Sequence, residues 1–202
     1  MSSKRPKLIL ASRSPRRREL LAEAGYEFEV CAPGETAECG LCTGESPAQL
    51  VARLAYQKAA DVMGRVQSGL VLGCDTVVEC AGQTLGKPDD REHACQILCL
   101  LRGREHFVYS GLCLWPIPGG EPKVRVAVTR LRMDPLSDAQ IDEYLESGAW
   151  EGKAGAFGYQ DRLGWVHIVE GSESNVVGLP LELLAEMIEQ LPINAAGDHS
   201  RH

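Results

Sequence analysis

The sequence predicts an α/β fold in which a mixed, twisted sheet is flanked by helices, and three observations carry that expectation. Short apolar or alternating runs with strand character are interleaved with segments of helical periodicity. Most helical segments open on a capping signal and close near glycine or proline. No linker-like stretch divides the chain, so residues 7–192 are expected to form one domain, with room for two lobes, and 193–202 a frayed tail.

Residues 7–11 form a short apolar run that fits a buried strand. Ser14 and Pro15 then open a helix, the serine as N-cap and the proline in the first turn. Leu20, Leu21 and Ala24 give that helix an apolar face, and Gly25 ends it. The alternation of YEFEV, 26–30, predicts a second strand, and 31–45, rich in Gly, Cys and Glu, reads as an irregular loop. Ser46 and Gln49 bracket a capping box. The helix they start runs to about Met63 on a stripe of Val51, Leu54, Ala55, Ala59 and Val62, and Lys58 falls on the same stripe. Residues 70–73 predict a buried strand, and 77–80 and 84–85 a hairpin about Ala81-Gly82. Asp89 or Asp90 caps a helix ending near Leu101, and 105–115 and 123–132 predict two longer strands. Ser137 and Gln140 cap a helix over 138–147 that Gly148 stops, 165–169 reads as a strand, and Pro180 and Pro192 bracket a last helix over 181–191. The glycine-rich KAGAFGYQ, 153–160, cannot be ordinary helix.

Composition narrows the function classes. The 21 basic and 28 acidic residues give a net charge of −7, which disfavours general binding to nucleic acid or an anionic membrane. The apolar run after MSSKRPK is too short for a secretory signal, and no stretch approaches a membrane span, so a cytoplasmic location is expected. Eight cysteines then read as mostly reduced thiols, and the single CxxC, Cys39 to Cys42, as a surface loop.

An acidic protein that binds an anion needs a local basic site, and Arg13 with Arg16, Arg17 and Arg18 is the candidate. A helix N-terminus repels cations. Arginines gathered there weaken an empty protein and strengthen one that holds a phosphate on the helix N–H groups. Arg13 and Arg16 beside the turn are the expected contacts, and Arg17 and Arg18 are expected to face water. Lys58 either lays its stem over the core or reaches into a cleft. Asp75 follows an apolar strand directly, at a strand carboxyl end, where ligand sites of open α/β sheets gather. A carboxylate there can hold Mg²⁺ or orient a water. Lys87 is held extended by Pro88 as a candidate phosphate contact. In 153–160, three glycines allow close backbone approach, Lys153 adds charge, and Gln160 adds an amide able to read a base edge. No histidine sits in a triad-like context. Cations, one well-placed aspartate and glycine-rich backbone suit phosphoryl chemistry, where positioning and charge neutralisation do most of the work.

Five stretches, LILASRSPRRRELL, LVLGCDTVV, LGKP, KAGAFGYQ and NVVGLPLELL, occur in the order found in the Maf-type nucleoside triphosphate pyrophosphatases. The chain resembles that family over about residues 7–191, in the branch that acts on dTTP and UTP. The branch acting on 7-methyl-GTP lacks the glycine-rich form of KAGAFGYQ and the Thr after the Asp. The resemblance implies a two-lobed fold of the ITPase and Maf type with a cleft between the lobes. It also implies hydrolysis of a nucleoside triphosphate to monophosphate and pyrophosphate, a divalent metal (Mg²⁺, Mn²⁺ or Co²⁺) and a homodimer. By the same resemblance Asp75 is the acidic catalytic residue, assisted by Lys58 and Lys87. Arg16, Thr76 and Gln160 match positions tied to substrate choice, and Ser12, Arg13 and Lys153 match the polar lining.

Two departures from the family pattern stand out. The family's acidic residue near Ala37 is missing, with Glu35 and Glu38 flanking the position; Glu38 is expected to replace it as a second metal ligand beside Asp75. The Asp that usually precedes the lysine of KAGA is Gly152 here. These departures motivate a competing expectation, a nucleotide-binding regulator of cell division and septum formation with weak or no turnover. A phosphatase releasing orthophosphate directly is a third.

Overall fold

The computed structural model describes residues 7–37, 44–161 and 163–191. Seven strands form one mixed sheet. Strands β1 (Leu8–Ala11), β2 (Phe28–Val30) and β3 (Gly69–Cys80) are mutually parallel, with β1 in the middle. From β3 the sheet continues antiparallel through β5 (Glu105–Ile117), β6 (Lys123–Met133) and β7 (Val166–Glu170), and β4 (Gln83–Leu85) folds back on the end of β3. Helices α1 (Pro15–Glu23), α2 (Pro47–Met63), α3 (Arg91–Leu101), α4 (Asp138–Glu146), α5 (Glu173–Val177) and α6 (Leu181–Glu189) flank it. This is the mixed, helix-flanked sheet that the sequence predicts.

Local chemistry explains most boundaries. Ser46 and Ser137 each form a complete capping box with Gln49 and Gln140, and Asp90 caps α3 by accepting from the His93 N–H. Ser14 occupies the N-cap of α1 but makes no side-chain cap there. Two features differ from the sequence reading. Residues 69–80 form one continuous strand, because β5 ladders against it from Gly69 to Glu79 and overrides the polar Cys-Asp-Thr interruption. The short helix α5 lies where no helix is predicted; five residues are too few to show a period.

The two largest of four apolar clusters among the described residues mark lobes that share the sheet. One packs β1 and the first half of β3 against α1 and α6. The other packs the second half of β3 against α3, α4 and Phe157 of the glycine-rich segment. No helix among the described residues is long and apolar enough to cross a membrane. The six cysteines described are free thiols, and the CxxC lies outside the described residues.

His106 of β5 belongs to the second lobe. It is fully buried, edge-on to Phe157, and its Nε2 has no hydrogen-bond partner among the described residues. Burial pushes its pKa from 6.5 down to about 4. The unfolded chain therefore takes up a proton near pH 6.5 that the folded chain refuses until about pH 4. Stability is expected to fall as pH drops through that window, by on the order of 3 kcal/mol in all. Denaturation midpoints measured from pH 7 to 4.5 should decline more steeply for the native chain than for His106→Leu. Parallel curves would refute the assignment.

Candidate active site

A cleft opens where one edge of β3 loses its partner. β1 leaves β3 after the Ala11–Gly73 pair, and β4 joins only at Val78. Between them, Cys74 to Val77 ladder with β5 alone. The cavity against this free edge holds about 870 Å³. It is walled by the β1–α1 turn, the loop after β2, α2 and the glycine-rich segment. The sequence places Asp75 at a strand's carboxyl end; the structure sets it inside β3, and the strand that ends beside it is β1.

Strand alternation sorts the side chains of β3. Asp75 faces α2, where Lys58 Nζ donates to its Oδ1 at 2.5 Å. Both are buried, at 9% and 6% exposure, and both line the cleft. Lys58 thus reaches into a cleft rather than lying along the core. No described residue hydrogen-bonds Oδ2 of Asp75, which leaves that oxygen for a water or a cation.

Cys74 and Thr76 face the other way, towards Arg17. Arg17 does not face water. It is 9% exposed and donates to four neutral oxygens: Gly178 O at 2.9 Å, Cys74 O at 2.8 Å, and Ser12 Oγ and Thr76 Oγ1 at 3.2 Å each. It ties the β1–α1 turn, the free edge of β3 and the end of α5 together. No carboxylate among the described residues balances its charge, and a buried unbalanced cation favours an anion in the adjacent cavity. The signal for Arg17 was in the sequence. It stands three and four residues before Leu20 and Leu21, on the buried face of α1. Arg18 is exposed, as expected.

The other candidates occupy distinct places. Ser12 is buried, and its Oγ also accepts from Ser14 N–H, shaping the turn. Arg13 donates to Pro33 O at 3.0 Å and lies 3.9 Å from Glu35. Arg16 donates to Gly152 O at 3.0 Å, and burial, reinforced by Arg17, lowers its pKa. Thr76 lines the cleft, with its hydroxyl shared among Ser110, Arg17 and Gly178. Lys87 and Gln160 are exposed on the cleft wall. Lys153 is the exception: it is absent from the lining, and its ammonium grips both oxygens of Asp161 at 2.6 and 2.7 Å. Glu38 lies outside the described residues, and Glu35 is the neighbouring carboxylate that lines the cleft.

Arg13, Arg16, Arg17, Lys58 and Lys87 thus meet two carboxylates, Glu35 and Asp75, along the described lining. That is a local cationic excess in a protein of net charge −7. The described residues hold no cluster of three or more His, Cys, Asp or Glu able to cage a metal. Glu35 and Asp75 are the carboxylates on the described lining, oxygen donors of the kind that a divalent cation such as Mg²⁺ takes.

The chain is similar to known proteins of one family. The model of the Maf-like protein family matches residues 7–191. A dTTP/UTP pyrophosphatase of Rhodopirellula baltica is 54% identical over 93% of this chain and 83% of its own length. Another protein of that name, from Symbiobacterium thermophilum, is 44% identical over 94% of this chain and 97% of its own. The solved Ham1 protein of Staphylococcus aureus shares the fold, with a TM-score of 0.53 at 14% identity over 91% of this chain and 98% of its own.

Proposed function

This chain belongs to the Maf family, and from that premise we propose that it hydrolyses dTTP and UTP to the monophosphate and pyrophosphate. The observation that carries the reading is the buried Lys58–Asp75 pair set into a cationic cleft. The names of its relatives supply the substrate class.

Arg13, Arg16, Lys58 and Lys87 neutralise phosphate oxygens, and Arg17 adds a fixed positive field beneath the turn. A water attacks the α-phosphorus in line. Asp75 takes its proton through Oδ2, while Lys58 holds the carboxylate in place through Oδ1. The bond from the α-phosphorus to the bridging oxygen breaks, and pyrophosphate leaves with the electron pair. Asp75 and Glu35 would hold a divalent cation (Mg²⁺, Mn²⁺ or Co²⁺), which when bound would supply further charge neutralisation. Thr76 shapes the base-binding end, and Gln160 reads the base edge. A pocket that differs towards dTTP and UTP by a methyl and a hydroxyl discriminates by only about 1–3 kcal/mol, so both are accepted.

The test is a panel of nucleoside triphosphates with both phosphate products measured directly. Pyrophosphate should appear from dTTP and UTP ahead of ATP and GTP. Orthophosphate as the first product would mean a phosphatase, and tight binding without product a regulator; either overturns the proposal.

A further inference from the structure

The glycine-rich segment that carries Gln160 is closed on itself by groups that do not touch the cleft. Lys153 at its start and Asp161 at its end form a bidentate ion pair, half-buried between them. Tyr144 of α4 pegs the closed loop at two points: its hydroxyl donates to Asp161 Oδ2 at 3.0 Å and accepts from Gly158 N–H at 3.3 Å. The Tyr144 ring is itself fixed, edge-on to Trp165 at 5.1 Å. The clamp leaves no space at its centre. A Cβ on Gly158 would lie 2.3 Å from Lys153 Nζ and 2.6 Å from Asp161 Oδ2. Gln160 sits in the single helical turn Tyr159–Asp161, one residue before the clamped carboxylate, and is exposed on the cleft wall.

We propose that Asp161 is a positioning residue for base selection: held by Lys153 and Tyr144, it fixes the turn from which Gln160 meets the nucleobase. The inference rests on the proposed function. An exposed glutamine on a free loop would sample many orientations and discriminate poorly, because positioning is what turns a hydrogen bond into selectivity. The clamp removes that freedom without placing a charge against an uncharged base. It also answers what Lys153 does, since its charge is committed to Asp161 and not to the phosphates. Arg16 of α1 donates to Gly152 O, just before the segment, and lies near enough to Asp161 and Tyr144 to interact with both electrostatically. The loop is therefore tied to α4 through Tyr144 and to α1 through Arg16.

The experiment compares the native chain, Asp161→Ala, Asp161→Asn and Tyr144→Phe on dTTP, UTP, CTP and ATP. It records kcat and KM separately, with the melting temperature of each protein. The native chain run first shows whether the substrate reading holds. Given that, Asp161→Ala should raise KM for dTTP and UTP about tenfold, as loss of hydrogen bonds to a charged group does. It should narrow the preference over CTP and ATP and change kcat little. Asp161→Asn, which keeps an acceptor for Tyr144, should recover part of the preference. Tyr144→Phe should shift selectivity in the same direction while keeping the ring against Trp165, and it carries the test if the alanine variant does not fold. Unchanged selectivity in the folded variants, or a uniform fall in kcat on all four nucleotides, would overturn the proposal.

Discussion

Asp75→Asn is expected to lower turnover by about 10²–10⁴-fold, the range by which a positioned general base accelerates proton transfer. The amide has nearly the same volume, and its oxygen still accepts from Lys58 Nζ, so the 2.5 Å contact has a successor and the fold should survive. What is lost is the negative charge. The contact to the Lys58 ammonium, at 6% exposure, changes from a charged to a neutral hydrogen bond, and a stability cost of about 1–3 kcal/mol follows. Triphosphate binding measured without a divalent cation should hold or tighten, because an anion repelling the phosphates has gone. The measurements are pyrophosphate release, nucleotide affinity and melting temperature. Near-normal turnover would remove Asp75 from the mechanism. Adding Lys58→Met to Asp75→Asn separates the two roles. If Lys58 acts chiefly by holding the carboxylate, the double variant should be little slower than Asp75→Asn alone.

The sequence made the elements legible where they carry their own stop and start signals. Ser46 with Gln49, Ser137 with Gln140, and Asp90 before α3 each solve a local problem, the unpaired N–H groups of a helix start, with residues next to one another. Most of the cleft lining was legible for a related reason: charged residues at strand and helix junctions have few structural uses. Apart from α5, too short to show a period, the gaps depend largely on non-local contacts. Continuity of β3 through Asp75 depends on β5, some 36 residues later along the chain at Gly111. Lys153 reads as a cleft cation until Asp161 is seen to hold it. Arg17 reads as solvent-facing although its spacing to Leu20 and Leu21 marks the buried face, because arginine is rarely buried without a carboxylate. The acceptors that make its burial tolerable, Cys74 O and Gly178 O among them, lie 57 and 161 residues away.

Gly73→Ala should produce the largest loss of stability, and the reason reaches the chemistry. Helix α2 lies flush on the sheet across two glycines, Gly73 of β3 and Gly111 of β5. A Cβ on Gly73 would stand 2.1 Å from Ala55 O, and one on Gly111 2.2 Å from Val51 O. Both obstacles are helix backbone, which cannot swing aside as a side chain does, so the whole helix must lift. Overpacking of this kind costs about 1–3 kcal/mol and sometimes more. Here the lift also draws Lys58 away from Asp75, and parting a buried ion pair adds to the loss. A destabilisation of roughly 3 kcal/mol or more is therefore expected, together with a fall in kcat that no change at Asp75 itself explains. Gly64, at the end of the same helix, is the control. Its φ is −72° and nothing lies within 4 Å of its Cβ position, so Gly64→Ala should be neutral or slightly stabilising. Chemical denaturation of the two variants against the native chain decides the matter. If Gly73→Ala were as stable and as active as Gly64→Ala, the close seat of α2 would not be what brings the lysine to the aspartate.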